Sequence, residues 1–367
     1  MIDINKPYNS LPMLPPDIDL NDQELLLATL EASDAISQLK TMLTMSKRTI
    51  LNTLDLLSPL FVPEAVSSSG VENIVTTNDS VYYAKIREAR ELSPAEKEAL
   101  NYTNALMGGA SKLVSKGFLN TNDYIALQSS IEPSRSGIRK LPGTQLSNPI
   151  TKVIYYTPPN GEELIRKLLQ NFEEYFNDPS PIHEVFARMA ILHYQFEAIH
   201  PFSDGNGRAG RMLMPLYLMK QSRLPVPVLF ISHYILEHRD EYYKKLREVT
   251  LEGKWKDWVL YITLATTEQA KYTCNILEKI KSSIDSVRQI LKERLNYLYT
   301  SELVDYLFSN AYFIQKDFEK YIDVSPMTAR KYLHGLEREG IIMKHRQTGR
   351  NRFIYITPRY INILKRA

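Results

Sequence analysis

Between Glu197 and Arg211 the chain reads EAIHPFSDGNGRAGR. This stretch gathers an imidazole (His200), a carboxylate (Asp204), the turn Gly205-Asn206-Gly207 and two guanidinium groups, Arg208 and Arg211. Glycines leading into a helix leave free N–H groups at the positive end of its dipole, a natural seat for an anion. Arg208 and Arg211 lie three apart, about one helical turn, so both reach one phosphate chain. His200, beside that cradle, is placed to take a proton from an incoming hydroxyl. Asp204 can hold Mg²⁺ against phosphate oxygens, since magnesium favours few carboxylates together with phosphate. Positioning, charge neutralisation and a base are what attack of a hydroxyl on a phosphoryl group requires. A covalent enzyme intermediate is not needed, and Cys274 lies far away in the sequence.

The elements around this loop must be helices. Val185, Met189, Ala190, His193, Phe196 and Ile199 recur at helical spacing up to the loop, and Met212, Leu213, Leu216 and Met219 continue beyond it. Phe202 anchors the loop in the core. The run GNGRAG (205–210) fits G-x-G-x-x-G formally, but a helix precedes it where a dinucleotide fold needs a strand. A Gly-Lys-Ser/Thr ending, which a Walker A loop requires, is also lacking.

Upstream, residues 1–20 form a Pro-rich lead-in placed to wrap the body, and Asn21 with Glu24 predicts a capping box for the first helix, whose periodicity runs to about Leu57. Ser93-Pro94 with Glu96 and Glu98 starts another helix. The stretch 137–159 breaks the helical pattern, and a hairpin is expected to join about Ile138–Lys140 to Lys152–Tyr156. Helices return from Gly161, so the fold is mainly α. The expected divisions are a helical region 1–110, a core 111–280, a connecting helix 281–300 and a tail 301–367.

The net charge of +3 hides an asymmetry, because residues 325–367 carry ten Lys/Arg against Glu337 and Glu339. In that tail, Phe313–Tyr321 reads as a helix and Ser325-Pro326 starts a second one, ended by Gly340. IIMKHR and RFIYIT are strands around a wing. This is a winged helix-turn-helix. Thr328, Arg330, Lys331 and His334 face outward, with Arg346, Arg350 and Arg352 on the wing. DNA is the partner this charge suggests, and a protein is the alternative. One cysteine, no signal-peptide pattern and no membrane-length apolar run point to a soluble, cytoplasmic protein.

HPFSDGNGRAGR resembles the signature of the Fic family, H-P-F-x-[DE]-G-N-G-R-x-x-R, at every fixed position. The resemblance implies an adenylyltransferase that uses ATP and Mg²⁺ to place AMP on a hydroxyl of a protein substrate. It implies His200 as general base and Asp204 as metal ligand. Gly205, Asn206, Gly207, Arg208, Ala209, Gly210 and Arg211 would hold the ATP phosphates, and Tyr242 and Tyr243 would line the adenine pocket. The hairpin (138–157) would be the flap that aligns the target, through Lys152, Val153, Ile154, Tyr155 and Tyr156. Ser68-x-x-x-Glu72-Asn73 resembles the family's inhibitory motif, in which the glutamate occupies the last signature arginine, here Arg211. Gly70 weakens that helix, which suits a loosely held brake. Self-modification is expected, with Tyr155 and Tyr156 among the candidate sites. The alternatives are removal of AMP, transfer of another phosphorus-linked group, or a DNA-binding regulator whose core only senses nucleotide. Homo-oligomerisation stays open.

Overall fold

A computed structural model of the chain describes residues 2–44, 57–147, 154–181, 183–346 and 353–366. Lys152 and Val153 of the expected flap, Arg350 and Arg352 of the expected wing, and the stretch 45–56 of the first periodic segment lie outside the described residues.

The body is helical. In chain order it comprises α1 (Gln23–Thr44), α2 (Phe61–Val71), α3 (Asn78–Ala84), α4 (Pro94–Lys116), α5 (Thr121–Ile131), α6 (Glu162–Asn177), α7 (Val185–Ile199), α8 (Asn206–Lys220), α9 (Ile231–Glu237), α10 (Arg239–Glu252) and α11 (Trp255–Arg294). Helix α7 is the centre: all its residues except Arg188 and Glu197 are buried. A helix apolar on every side has no stable place except inside a bundle, and α6, α8 and α11 pack around it. The fully buried Phe172, Phe176, Phe196 and Phe202 form a ring-to-ring cluster beneath the loop. Each such side chain contributes roughly 1.5–3 kcal/mol by burial.

Caps set the helix starts. Ser93-Pro94 starts α4 as expected, and Ser93 and Glu96 form a reciprocal capping box there. For α1 the cap is Asp22, whose carboxylate accepts from the Glu24 and Leu25 amides, and not the expected Asn21–Glu24 box. Pro215 lies inside α8, where it removes the N–H that would bond the Arg211 carbonyl.

The hairpin pairs β1 (Leu146–Ser147) with β2 (Ile154–Tyr156). Residues 138–139, expected as its first strand, instead run against the signature loop: Ile138 bridges Phe202, and the Arg139 amide donates to the Pro201 carbonyl at 2.9 Å. The lead-in does wrap the body, with Tyr8 N–H donating to Thr157 and Leu14 N–H to Asn171.

Residues 281–294, expected as a separate connecting helix, continue α11 without a break. Beyond them come α12 (Ser301–Ser309), β3 (Tyr312–Ile314), α13 (Gln315–Ile322), α14 (Pro326–Arg338), β4 (Met343–Arg346), β5 (Phe353–Ile356) and α15 (Pro358–Leu364). Phe313 is therefore a strand residue, not the start of a helix, and it completes an antiparallel sheet of order β3-β5-β4. Ser325 caps α14 as expected, accepting from the Thr328 amide at 3.2 Å. No helix among the described residues is long and apolar enough to cross a membrane.

Candidate active site

The loop between α7 and α8 is held from inside. Asn206 donates to the Phe202 carbonyl and accepts from the Phe202 amide, both at 2.8 Å. This two-bond clamp closes the turn while Phe202 fills the core below it. Gly205 caps α8 at φ 79°, a left-handed conformation that glycine adopts at low cost. Gln128 of α5 supports the outer edge, donating to the Asp204 and Arg135 carbonyls at 3.0 Å each.

His200 ends α7 in the left-handed conformation, φ 49°. Burial pulls its pKa down to about 4, and the nearby Arg139 charge acts in the same direction. At neutral pH the imidazole is unprotonated, the state a base requires. Arg139 is itself buried and spans the C-terminal end of α7. Its Nε donates to the His200 carbonyl at 2.7 Å, and its Nη2 donates to the carbonyls of Ile199 (3.3 Å) and Pro159. A cation there suits the negative end of the helix.

Asp204 is half-exposed. It accepts from Gly205 N–H (2.7 Å) and Arg208 (3.1 Å) on Oδ1 and from Arg135 (2.9 Å) on Oδ2. Among the described residues no group of three or more His, Cys, Asp or Glu could hold a metal ion. One accessible carboxylate fits only an ion that takes its other ligands from phosphate and water, as Mg²⁺ does.

The two arginines diverge. Buried Arg208 pairs with Glu98 of α4 at 2.8 Å and with Asp204 at 3.1 Å. Buried Arg211 meets the end of α2: Nε donates to Ser68 Oγ (3.0 Å), and Nη2 to the Ser68 carbonyl (2.8 Å) and Glu72 Oε1 (2.9 Å). Burial acts to lower the Arg211 pKa, but the Glu72 carboxylate opposes it and the guanidinium ends above its ordinary value. Glu72 caps α2, and Asn73 follows at φ 64°, held by Arg239 at 2.6 Å. Gly70 lies against Leu236 of α9. A Cβ there would come within 3.1 Å of the Leu236 side chain, so glycine relieves a tight contact at this point.

Tyr242 and Tyr243 have different surroundings. Tyr242 is buried, with its hydroxyl 2.9 Å from His193 Nε2, whereas Tyr243 is exposed beside Arg239. Along β2, Tyr155 is exposed, Ile154 half-buried, and Tyr156 turns its hydroxyl inward to the Ala198 carbonyl at 2.9 Å. Ala209 and Gly210 lie buried in the first turn of α8, with Gly210 against Glu197.

Glu98, Arg135, Arg139, Arg239 and Gln128 are site residues that sequence reasoning misses. Their partners lie far along the chain, and only the acidic helix start at Glu96 and Glu98 gives a local signal.

Three family models match successive parts of the chain. They are the Fic/DOC family N-terminal model over residues 26–111, the Fic/DOC family model over 118–218, and the C-terminal domain model of protein adenylyltransferase SoFic-like over 284–360. Protein adenylyltransferase Fic of Aedes aegypti is 29% identical over 215 residues, which is 56% of this chain and 40% of that protein. Protein adenylyltransferase fic-1 of Caenorhabditis briggsae is 35% identical over 107 residues, 28% of this chain and 19% of that protein. The chain thus spans less than half the length of these curated relatives. A Fic family protein from Desulfovibrio desulfuricans shares the fold with TM-score 0.53 at 16% identity, covering 94% of this chain and 97% of that one. Fic-1 of Caenorhabditis elegans does so with TM-score 0.50 at 19% identity, covering 68% and 73%. Taken with the signature loop and the helices that hold it, the three successive matches place the chain: it belongs to the Fic/DOC family.

Proposed function

We propose that the protein is an autoinhibited adenylyltransferase that transfers AMP from ATP to a hydroxyl of a protein target. One observation carries the reading: Ser68 and Glu72 occupy Arg211, and the Glu72 carboxylate fills the space over Gly207 in the first turn of α8. In the reaction His200 takes the proton of the attacking hydroxyl. A bond forms between that oxygen and the α-phosphorus, the α–β phosphoanhydride bond breaks, and pyrophosphate leaves. The first-turn amides of α8 orient the phosphates, and Arg211 clamps the far end of the chain once Glu72 withdraws. Asp204 would hold Mg²⁺, whose charge offsets that of the phosphates. Arg208, braced between Glu98 and Asp204, keeps that carboxylate in place. Strand β2, at exposed Tyr155, would align the target backbone.

The test is incubation of wild type and Glu72→Gly with ATP labelled on the α-phosphate or, separately, on the γ-phosphate. Label should enter protein from the α position only, and more strongly in Glu72→Gly. Transfer from the γ position would indicate a phosphotransferase, and no transfer from either would defeat the reading.

A second reading concerns the C-terminal segment as a winged helix that binds DNA. Arg330, Lys331, His334 and Arg338 are exposed on α14, and Lys344, His345 and Arg346 are exposed on β4. Binding of duplex DNA should weaken steeply with salt; no retardation of DNA at low salt would point to a protein partner.

A further inference from the structure

We infer that the C-terminal segment holds the Glu72 brake closed, through helix α3. The inference rests on the reading of Glu72 as a brake. Only residues 74–77 separate Asn73 from α3, which Thr77 caps. The first turn of α3 is gripped from the C-terminal side. Asp79 Oδ1 accepts from the Tyr312 hydroxyl at 2.5 Å and pairs with Lys365 at 3.0 Å, while Asn78 Nδ2 donates to the Leu364 carbonyl at 3.2 Å. The Tyr83 and Tyr312 rings lie 5.7 Å apart. Tyr312 belongs to β3, which pairs with β5, and Leu364 and Lys365 end α15. One anchor thus belongs to the sheet and the other to the end of the last helix of the C-terminal segment.

Helix α3 also reaches both ends of α2. Tyr82 donates to the Pro59 carbonyl at 2.8 Å, just before α2 begins, and the link 74–77 leaves its other end. On its far side Ser80 bonds Glu96 in the first turn of α4. Two residues on, Glu98 accepts from Ser69 of α2 at 2.9 Å and pairs with Arg208 of the signature. A shift of α3 thus has two routes to the arginines, one through Asn73 and Glu72 and one through Glu96 and Glu98. Contacts present with the brake closed favour that state over any state in which they are broken.

The test uses the full chain with Asp79→Asn and, separately, Lys365→Ala, neither of which touches the loop. Asp79 and Lys365 are both partly exposed, so the rise in self-directed AMP transfer should be about 1.5-fold to fivefold, less than for Glu72→Gly. Amide hydrogen exchange over residues 61–77 should quicken in both variants while that of α7 stays at the wild-type rate. Neither variant should add to the rate of Glu72→Gly. Wild-type exchange over 61–77 in both variants would overturn the coupling. A Glu72→Gly protein with no gain in transfer would instead remove the brake reading, and the exchange result would still decide whether α3 is the link.

Discussion

The carboxylate of Glu72 stands where a side chain on Gly207 would have to go: a Cβ at that position would fall 2.3 Å from Oε1 and 2.9 Å from Arg211 Nη1. Glycine at 207 keeps one small space open, and the acid of α2 fills it. Gly207→Ala should therefore displace Glu72 and obstruct the anion seat together. ATP affinity, measured by calorimetry, should fall by about tenfold or more, and AMP transfer should not rise as it does for Glu72→Gly. A Gly207→Ala protein as active as Glu72→Gly would mean the phosphates do not use this space.

Arg211 is shared by brake and substrate in the proposed reaction, so its loss cannot mimic release. Arg211→Ala should be inactive, and Arg211→Ala with Glu72→Gly no more active than Arg211→Ala alone. The single variant should also lose about 2–4 kcal/mol of stability in denaturant melts, because Glu64 and Glu197 are deprived of a nearby cation.

The acid limb of transfer should report His200. With its pKa near 4, transfer by Glu72→Gly should stay level from about pH 8 to about pH 5.5. Arg139→Met removes a charge that opposes protonation of the ring, so the His200 pKa, followed by NMR of the imidazole, should move up towards its ordinary value. A limb near pH 6.5 in the parent would contradict the burial of this imidazole.

Glu64 on α2 is buried under Ser232 and Tyr102, and burial pushes its pKa up to about 7. The folded state then binds the proton more tightly than the unfolded chain. Its contribution to stability is complete below about pH 4.5 and declines as pH rises to about 7, by at most ~3 kcal/mol. His193 and His200 are depressed and act in the opposite direction, so the comparison must be with Glu64→Gln, which keeps both. The stability of wild type relative to Glu64→Gln should fall across that window, and a constant difference would show that Glu64 does not titrate there.

If flap hydroxyls accept AMP in cis, Tyr155 should be modified and Tyr156 spared, because Tyr156 spends its hydroxyl on the Ala198 carbonyl inside the body. Peptide mass spectrometry of the Glu72→Gly protein decides this, and AMP on Tyr156 would require β2 to leave its place.

What is legible in the sequence is local. The loop 200–211 is a run of fixed types whose meaning does not depend on the rest of the chain, and α7 betrays itself by apolar residues on every side. The cap at Ser93 and the start of α14 at Ser325-Pro326 follow from short-range hydrogen bonding. What stays hidden is long-range. Arg139 reads as part of a hairpin because nothing near it in the sequence signals three carbonyls about 20 to 60 residues away. Glu98 reads as an ordinary helix-start acid, although its partner Arg208 lies on another helix. Gly70 reads as a weak point because helix propensity counts backbone cost and cannot see Leu236.

The lead-in has a practical consequence. Thr157, directly after β2, accepts from the Tyr8 amide and donates its hydroxyl to the Ile4 carbonyl, and Asn9 receives the Asn160 amide. The end of β2 is thus tethered to residues 4–9. A fusion or affinity tag joined before these residues would crowd the contacts that hold β2, whereas one joined after Lys365 would crowd those that hold α3. The two ends of a recombinant protein would then not be equivalent handles: an upstream tag should alter which targets are modified, and a downstream tag how fast.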